Sequence, residues 1–173
     1  EQLAESTPFQ GAGRPANPRS SVPESGGCVC LKAGTHAIAE PIRIEKSNVV
    51  LHGESLGARV ERENGVNLLT VSAPTAGEQI ANVVVEGIQF VLNPQAILSD
   101  TKDVLAVLFL DGCQTATVRE CEMQLIGPWD VVTASGIAVQ NSTYVKINSN
   151  HISQLMVGIV GLGGGNLEVL GNL

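Results

Sequence analysis

A short aliphatic run recurs along this chain, and its return constrains the fold more than any other feature. It stands in SNVVLHG (47–53), ANVVVEGIQF (81–90), TATVRECEM (115–123), YVKINSNHI (144–152) and NLEVLGNL (166–173). Aligned on their last aliphatic strand residue, these runs place Leu51, Val85, Val118, Ile147 and Val169 in one column, with steps of 34, 33, 29 and 22 residues. A second anchor repeats the last step, because Gly136-Ile137-Ala138-Val139 and Gly158-Ile159-Val160 are also 22 residues apart. Such a step is too short for a strand–helix–strand unit, which needs about 30 residues. It suits one winding of a parallel solenoid, whose strands stack about 4.8 Å apart and whose equivalent side chains form ladders.

Local patterning agrees. No window from residue 26 onward sustains the spacing of an amphipathic helix, so the chain reads as all-β. The candidate strands are two to seven residues long, at 29–31, 42–44, 49–51, 68–71, 83–85, 88–90, 104–110, 116–118, 121–123, 137–139, 145–147, 151–152, 158–160 and 167–169. The longer steps imply loops inserted at 54–67, 93–103 and 127–135. Alternation puts Val49 and Leu51, Val83 and Val85, Ala116 and Val118, Val145 and Ile147, and Leu167 and Val169 inward, with His52, Glu86, Arg119 and Lys146 outward. Aromatic residues are 3% of the sequence, so the interior must be aliphatic. Asn48, Asn82, Thr115, Tyr144 and Asn166 share one aligned bend, and Asn150 aligns with Asn172. Stacked amides at a bend bond along the ladder and tolerate left-handed backbone.

Residues 1–25 carry Pro8, Pro15, Pro18 and Pro23 and read as a linker or draped segment, leaving 26–173 as the solenoid domain. The segment lacks the basic start and apolar stretch of a signal peptide. A formal charge of −7 argues against nucleic acid as a partner. No apolar run approaches the roughly 18 residues of a membrane helix.

The segment GGCVCLKAGTHAIAEPIRIEKSNVVLHGESLGA (26–58) carries Gly26, Gly27, Gly34, Thr35, His36, Pro41, Ile42, Ser47, Asn48 and Gly53 in an order that resembles the opening coils of the pectin-lyase-like superfamily. The resemblance implies a right-handed, single-stranded parallel β-helix of about five to six coils. It covers about residues 26–173 and is specific for fold, because that superfamily spans lyases, hydrolases, epimerases, tailspikes and adhesins.

Chemistry is sparse by comparison. Asp100, Asp103, Asp111 and Asp130 are the only aspartates, and the paired-carboxylate motifs of polygalacturonase-like hydrolases are missing. Arg119, Glu120 and Glu122, with Glu86 aligned to Arg119, are the nearest approach to a catalytic patch. An ordinary ion pair between neighbouring coils explains Glu86 and Arg119 more economically. His36, His52 and His151 have no metal-ligand spacing, so no metal or other cofactor is expected, and calcium enters only under a lyase reading. Cys28 and Cys30 on one strand, with Cys113 and Cys121, read as small buried hydrophobes, and Cys121 aligns with Ile88. Trp129 beside Asp130 is the candidate ligand contact, an aromatic face next to a carboxylate on a loop.

The sequence therefore leads to two expectations. The first is a non-catalytic scaffold or recognition module, surface-associated, tail-fibre-like or adhesin-like, that presents loops to a polysaccharide or cell-surface glycan. The second is a carbohydrate-active enzyme with its catalytic coil beyond residue 173 or in the inserted loops. The resemblance favours a secreted or surface location. Gly171-Asn172-Leu173 falls inside a repeat, so the expectation is a solenoid cut short at its C-terminus, continued by further coils or covered by another chain.

Overall fold

A computed structural model describes residues 25–54, 57–63, 67–93, 106–126 and 135–173. All regular structure among them is β, in sixteen strands forming three parallel sheets. Sheet A contains β1 (Gly27–Leu31), β4 (Val49–Gly53), β7 (Val83–Glu86), β10 (Ala116–Arg119), β13 (Val145–Asn148) and β16 (Leu167–Leu170), hydrogen-bonded in that order. Sheet B runs β2 (Gly34–Ala37), β5 (Ala58–Arg62), β8 (Gln89–Leu92), β11 (Glu122–Leu125), β14 (His151–Ser153). Sheet C runs β3 (Ile42–Ile44), β6 (Leu69–Ser72), β9 (Ala106–Asp111), β12 (Ser135–Ser142), β15 (Val157–Gly164). The chain passes A to B to C and returns to A, so every strand pairs with its counterpart one winding away. This is a parallel β-solenoid.

Register follows the alternation. Leu51 pairs with Val85, Val85 with Val118, Val118 with Ile147 and Ile147 with Val169. The first four are buried in one core with Phe90, Met123, Leu108, Leu110 and Ile137 from the other sheets. Each fully buried aliphatic side chain contributes roughly 1.5–3 kcal/mol of transfer free energy. The column thins at β16, where the inward-facing Leu167 and Val169 are 39% and 45% exposed.

Two strands depart from the sequence expectations. β5 lies inside the expected loop at 54–67, because Ala58 and Val60 alternate inward and are buried although charged residues surround them. β2 has no counterpart among the expected strands, and its His36 occupies the inward column of Val60, Phe90, Met123 and Ile152, where its Nε2 donates to the Lys32 carbonyl at 2.8 Å. The N-terminal linker reading of residues 1–25 lies almost wholly outside the described residues, as do most of the expected loops at 93–103 and 127–135.

The corners are built from side-chain amides and left-handed residues. At the C-to-A corner, Asn82 Nδ2 donates to Asn48 Oδ1 at 2.9 Å and Thr115 Oγ1 donates to Asn82 Oδ1 at 3.0 Å. At the A-to-B corner, four of the five connections have two residues. In the last three of these the first positions, Gly87, Glu120 and Ser149, have positive φ (66°, 54° and 57°). The second positions of the last two, Cys121 and Asn150, face inward and are buried. Among the described residues, no buried side-chain polar atom lacks a hydrogen-bond partner.

Candidate functional site

The A-to-B corner is concave on its outer side and forms a groove of about 650 Å³. Its floor is the bend itself, at Gly53, Gly87, Glu120 and Ser149. Gly53 has no room for a side chain, since a Cβ there would lie 2.2 Å from the Gly87 carbonyl oxygen. The backbones of successive windings therefore meet directly beneath the groove.

Each wall takes its side chains from the outer face of one sheet. On sheet A, the column reads Cys30, His52, Glu86, Arg119, Asn148 and Leu170. On sheet B it reads Thr35, Arg59, Gln89, Glu122 and His151. Two histidine–glutamate pairs thus stand in register, His52 with Glu86 on one wall and Glu122 with His151 on the other. Both carboxylates are held: Arg119 Nε donates to Glu86 Oε2 at 2.6 Å, and Gln89 Nε2 donates to Glu122 Oε2 at 2.9 Å. The Glu86 carboxylate keeps the Arg119 guanidinium above its ordinary pKa, first by hydrogen bonding and then by its charge. The resulting surface is a trough of fixed hydrogen-bond acceptors and two imidazoles, suited to a polar ligand.

Glu120 and Glu122 line this groove, and Arg119 borders it through Glu86. Trp129 and Asp130 lie outside the described residues. Sequence reasoning put His52 on the outer wall and aligned Glu86 with Arg119, but it did not connect Glu122 to His151. The signal was present, because the 29-residue step from Val118 to Ile147 carries Glu122 onto His151.

The cysteines divide in a way the sequence reading did not anticipate. Cys113 and Cys121 are buried, and desolvation pushes their thiols up to about 11 and about 12. Cys28 is exposed and Cys30 half-buried, because both point outward from β1, which corrects their reading as buried hydrophobes. Partial burial, then Cys30 and Glu86, raise the Cys28 thiol. All four thiols are free. Among the described residues, no three His, Cys, Asp or Glu side chains converge closely enough to hold a metal ion.

No family model matches this chain, and no curated protein matches it. A solved structure from Geobacillus virus E2, ORF18, is similar to it, with a TM-score of 0.56 at 14% identity over 85% of this chain and 33% of that one. The likeness is one of fold, and this chain spans about a third of that structure's length.

Proposed function

We propose that this chain is a non-catalytic recognition module, a solenoid that offers the A-to-B groove to a polysaccharide or cell-surface glycan. The observation that carries this reading is the pair of in-register His–Glu rows, one on each wall and staggered by two windings, in a groove whose carboxylates are already held by Arg119 and Gln89. Acceptors fixed before a ligand arrives lose little side-chain freedom on binding, which favours recognition of hydroxyl groups. Glu86, Glu120 and Glu122 outnumber Arg119, so neutral or amino-bearing sugars suit the groove better than uronic acids.

The solenoid is read as right-handed, with about five to six coils and a pectin-lyase-like relationship, on the sequence pattern at 26–58. A secreted or surface-associated setting accompanies that reading. Further coils of the same kind, or another chain, are the proposed neighbours of the exposed apolar turn at Leu167 and Val169. No cofactor is part of the reading.

The convergence of Glu120, Glu122 and two histidines in one groove supports a second reading, a carbohydrate-active enzyme, with calcium relevant only for a lyase. One experiment separates the two. Neutral, amino and uronic-acid polysaccharides are tested for binding and for release of reducing or unsaturated ends, with and without calcium. Recognition predicts binding without product, weakened about tenfold by Glu122→Gln, which removes one charged acceptor. Turnover abolished by Arg119→Ala or Glu122→Gln would establish the enzyme instead.

A further inference from the structure

We infer that Tyr144, at the C-to-A corner, is an aromatic platform for a sugar ring, a second contact on the far side of sheet A from the groove. The inference rests on the recognition reading above and extends it to a residue on which the groove does not depend.

Three observations point to it. First, Tyr144 is 60% exposed, and its hydroxyl bonds to no other described residue. An aromatic ring left in water at a rigid corner gains nothing from the core. Second, its backbone is left-handed, with φ at 52°. Asn and Gly take that conformation readily, whereas a bulky aromatic residue there is an outlier. Of the equivalent corner positions on earlier windings, Asn48 and Asn82 are also left-handed, at 59° and 57°, whereas Thr115 is not. Where this bend is left-handed the fold otherwise uses asparagine, and here the sequence supplies tyrosine against local preference. Strain of this kind, held in place by the surrounding ladder, is a mark of a functional position.

Third, its neighbours have the chemistry a sugar requires. Ala116 and Val145 are in register, as are Val145 and Leu167, so Thr115 and Asn166 flank Tyr144 on the adjacent windings, each about 4.8 Å away. The Asn166 amide can bond the rim of a ring whose face lies on the phenol, while the Thr115 hydroxyl is already engaged by Asn82 one winding back. An apolar peptide partner would find no aliphatic companion among these corner neighbours. The corner and the groove are separated by β13, a four-residue strand that spans about 13 Å. A linear oligosaccharide lying across sheet A would reach from one to the other.

The test uses the whole chain with hexamers of glucose, N-acetylglucosamine and galacturonic acid as probes, with titration of whichever binds. Tyr144→Asn restores the corner's own pattern, so it should leave the thermal midpoint unchanged or raised. It should weaken the bound hexamer about tenfold, the worth of one aromatic contact. Tyr144→Phe keeps the ring and should bind within a few-fold of wild type. Wild-type binding by Tyr144→Asn, alongside weakened binding by Glu122→Gln, would overturn the platform and leave the groove standing. A lowered midpoint for Tyr144→Asn would also overturn it, because tyrosine would then be a structural requirement of the corner. Failure of all three hexamers to bind wild type would reject the recognition reading, and the platform with it.

Discussion

Asn150 Nδ2 donates to Asn172 Oδ1 at 2.9 Å one winding further along, while Asn150 Oδ1 accepts from the Cys121 amide at 3.0 Å one winding back. Asn150 is buried, and its Nδ2 also donates to the Val118 carbonyl. One side chain therefore joins three windings at the inner side of the bend beneath the groove. Asn150→Ala leaves a buried amide hydrogen and a buried carbonyl without partners and should cost about 3 kcal/mol. Asn172→Ala, at a more open position, should cost about 1 kcal/mol. Chemical denaturation of the two variants measures both, and equal losses would count against the ladder as a buried element.

Gly53 and Gly87 share the same bend but differ in what a side chain would meet. A Cβ on Gly53 would strike the Gly87 backbone, so Gly53→Ala should destabilise by about 1–3 kcal/mol. Gly87, with φ at 66°, has its nearest obstruction 3.5 Å away, and Gly87→Asn should fall within about 1 kcal/mol of wild type. Thermal unfolding of the pair decides whether the groove floor is as tight as described.

Val118 and Val169 occupy one inward column with very different surroundings. Val118→Ala should cost about 2 kcal/mol from lost transfer energy and the cavity left behind. In this chain by itself, Val169→Ala should cost less than about 1 kcal/mol, since that side chain is nearly half exposed. Similar losses at both positions would mean that the terminal turn is covered in solution.

The buried thiols give a signed pH dependence. Cys113 and Cys121 have an ordinary pKa of 9.0 and are raised to about 11 and about 12 in the fold. The folded state therefore holds protons that the unfolded chain has released above pH 9. Stability from these groups is complete below pH 9 and falls as pH rises through 11 to 12, by on the order of 3 kcal/mol per thiol. A Cys113→Ala, Cys121→Ala variant should show a flatter decline above pH 9. In native protein at pH 8, a maleimide should label Cys28 and Cys30 and spare the buried pair until denaturant is added, as read by mass spectrometry.

Sheet A was the part most legible in the sequence. Its inward residues are aliphatic at every winding from Val49 to Val169, and its bends carry amides at fixed offsets, so one alignment yields both column and corner. β2 and β5 were obscured for opposite reasons. Gly-Thr-His-Ala has no aliphatic run and places a histidine inward, while Ala58 and Val60 are separated by Arg59 and followed by Glu61 and Arg62. In both, tertiary pairing outweighs weak local propensity. The groove was half legible, because its sheet A wall follows from the repeat whereas its sheet B wall depends on registers that short strands such as β14 barely encode.

The two-residue A-to-B corner works as a ruler. Connections from sheet B to sheet C range from three residues between β14 and β15 to thirteen between β8 and β9, yet from β7 onward the spacing from a sheet A strand to its sheet B successor does not change. A lineage of such molecules could accept insertions along one edge, winding by winding, while whatever rests in the trough on another edge meets the same gauge from β7 onward.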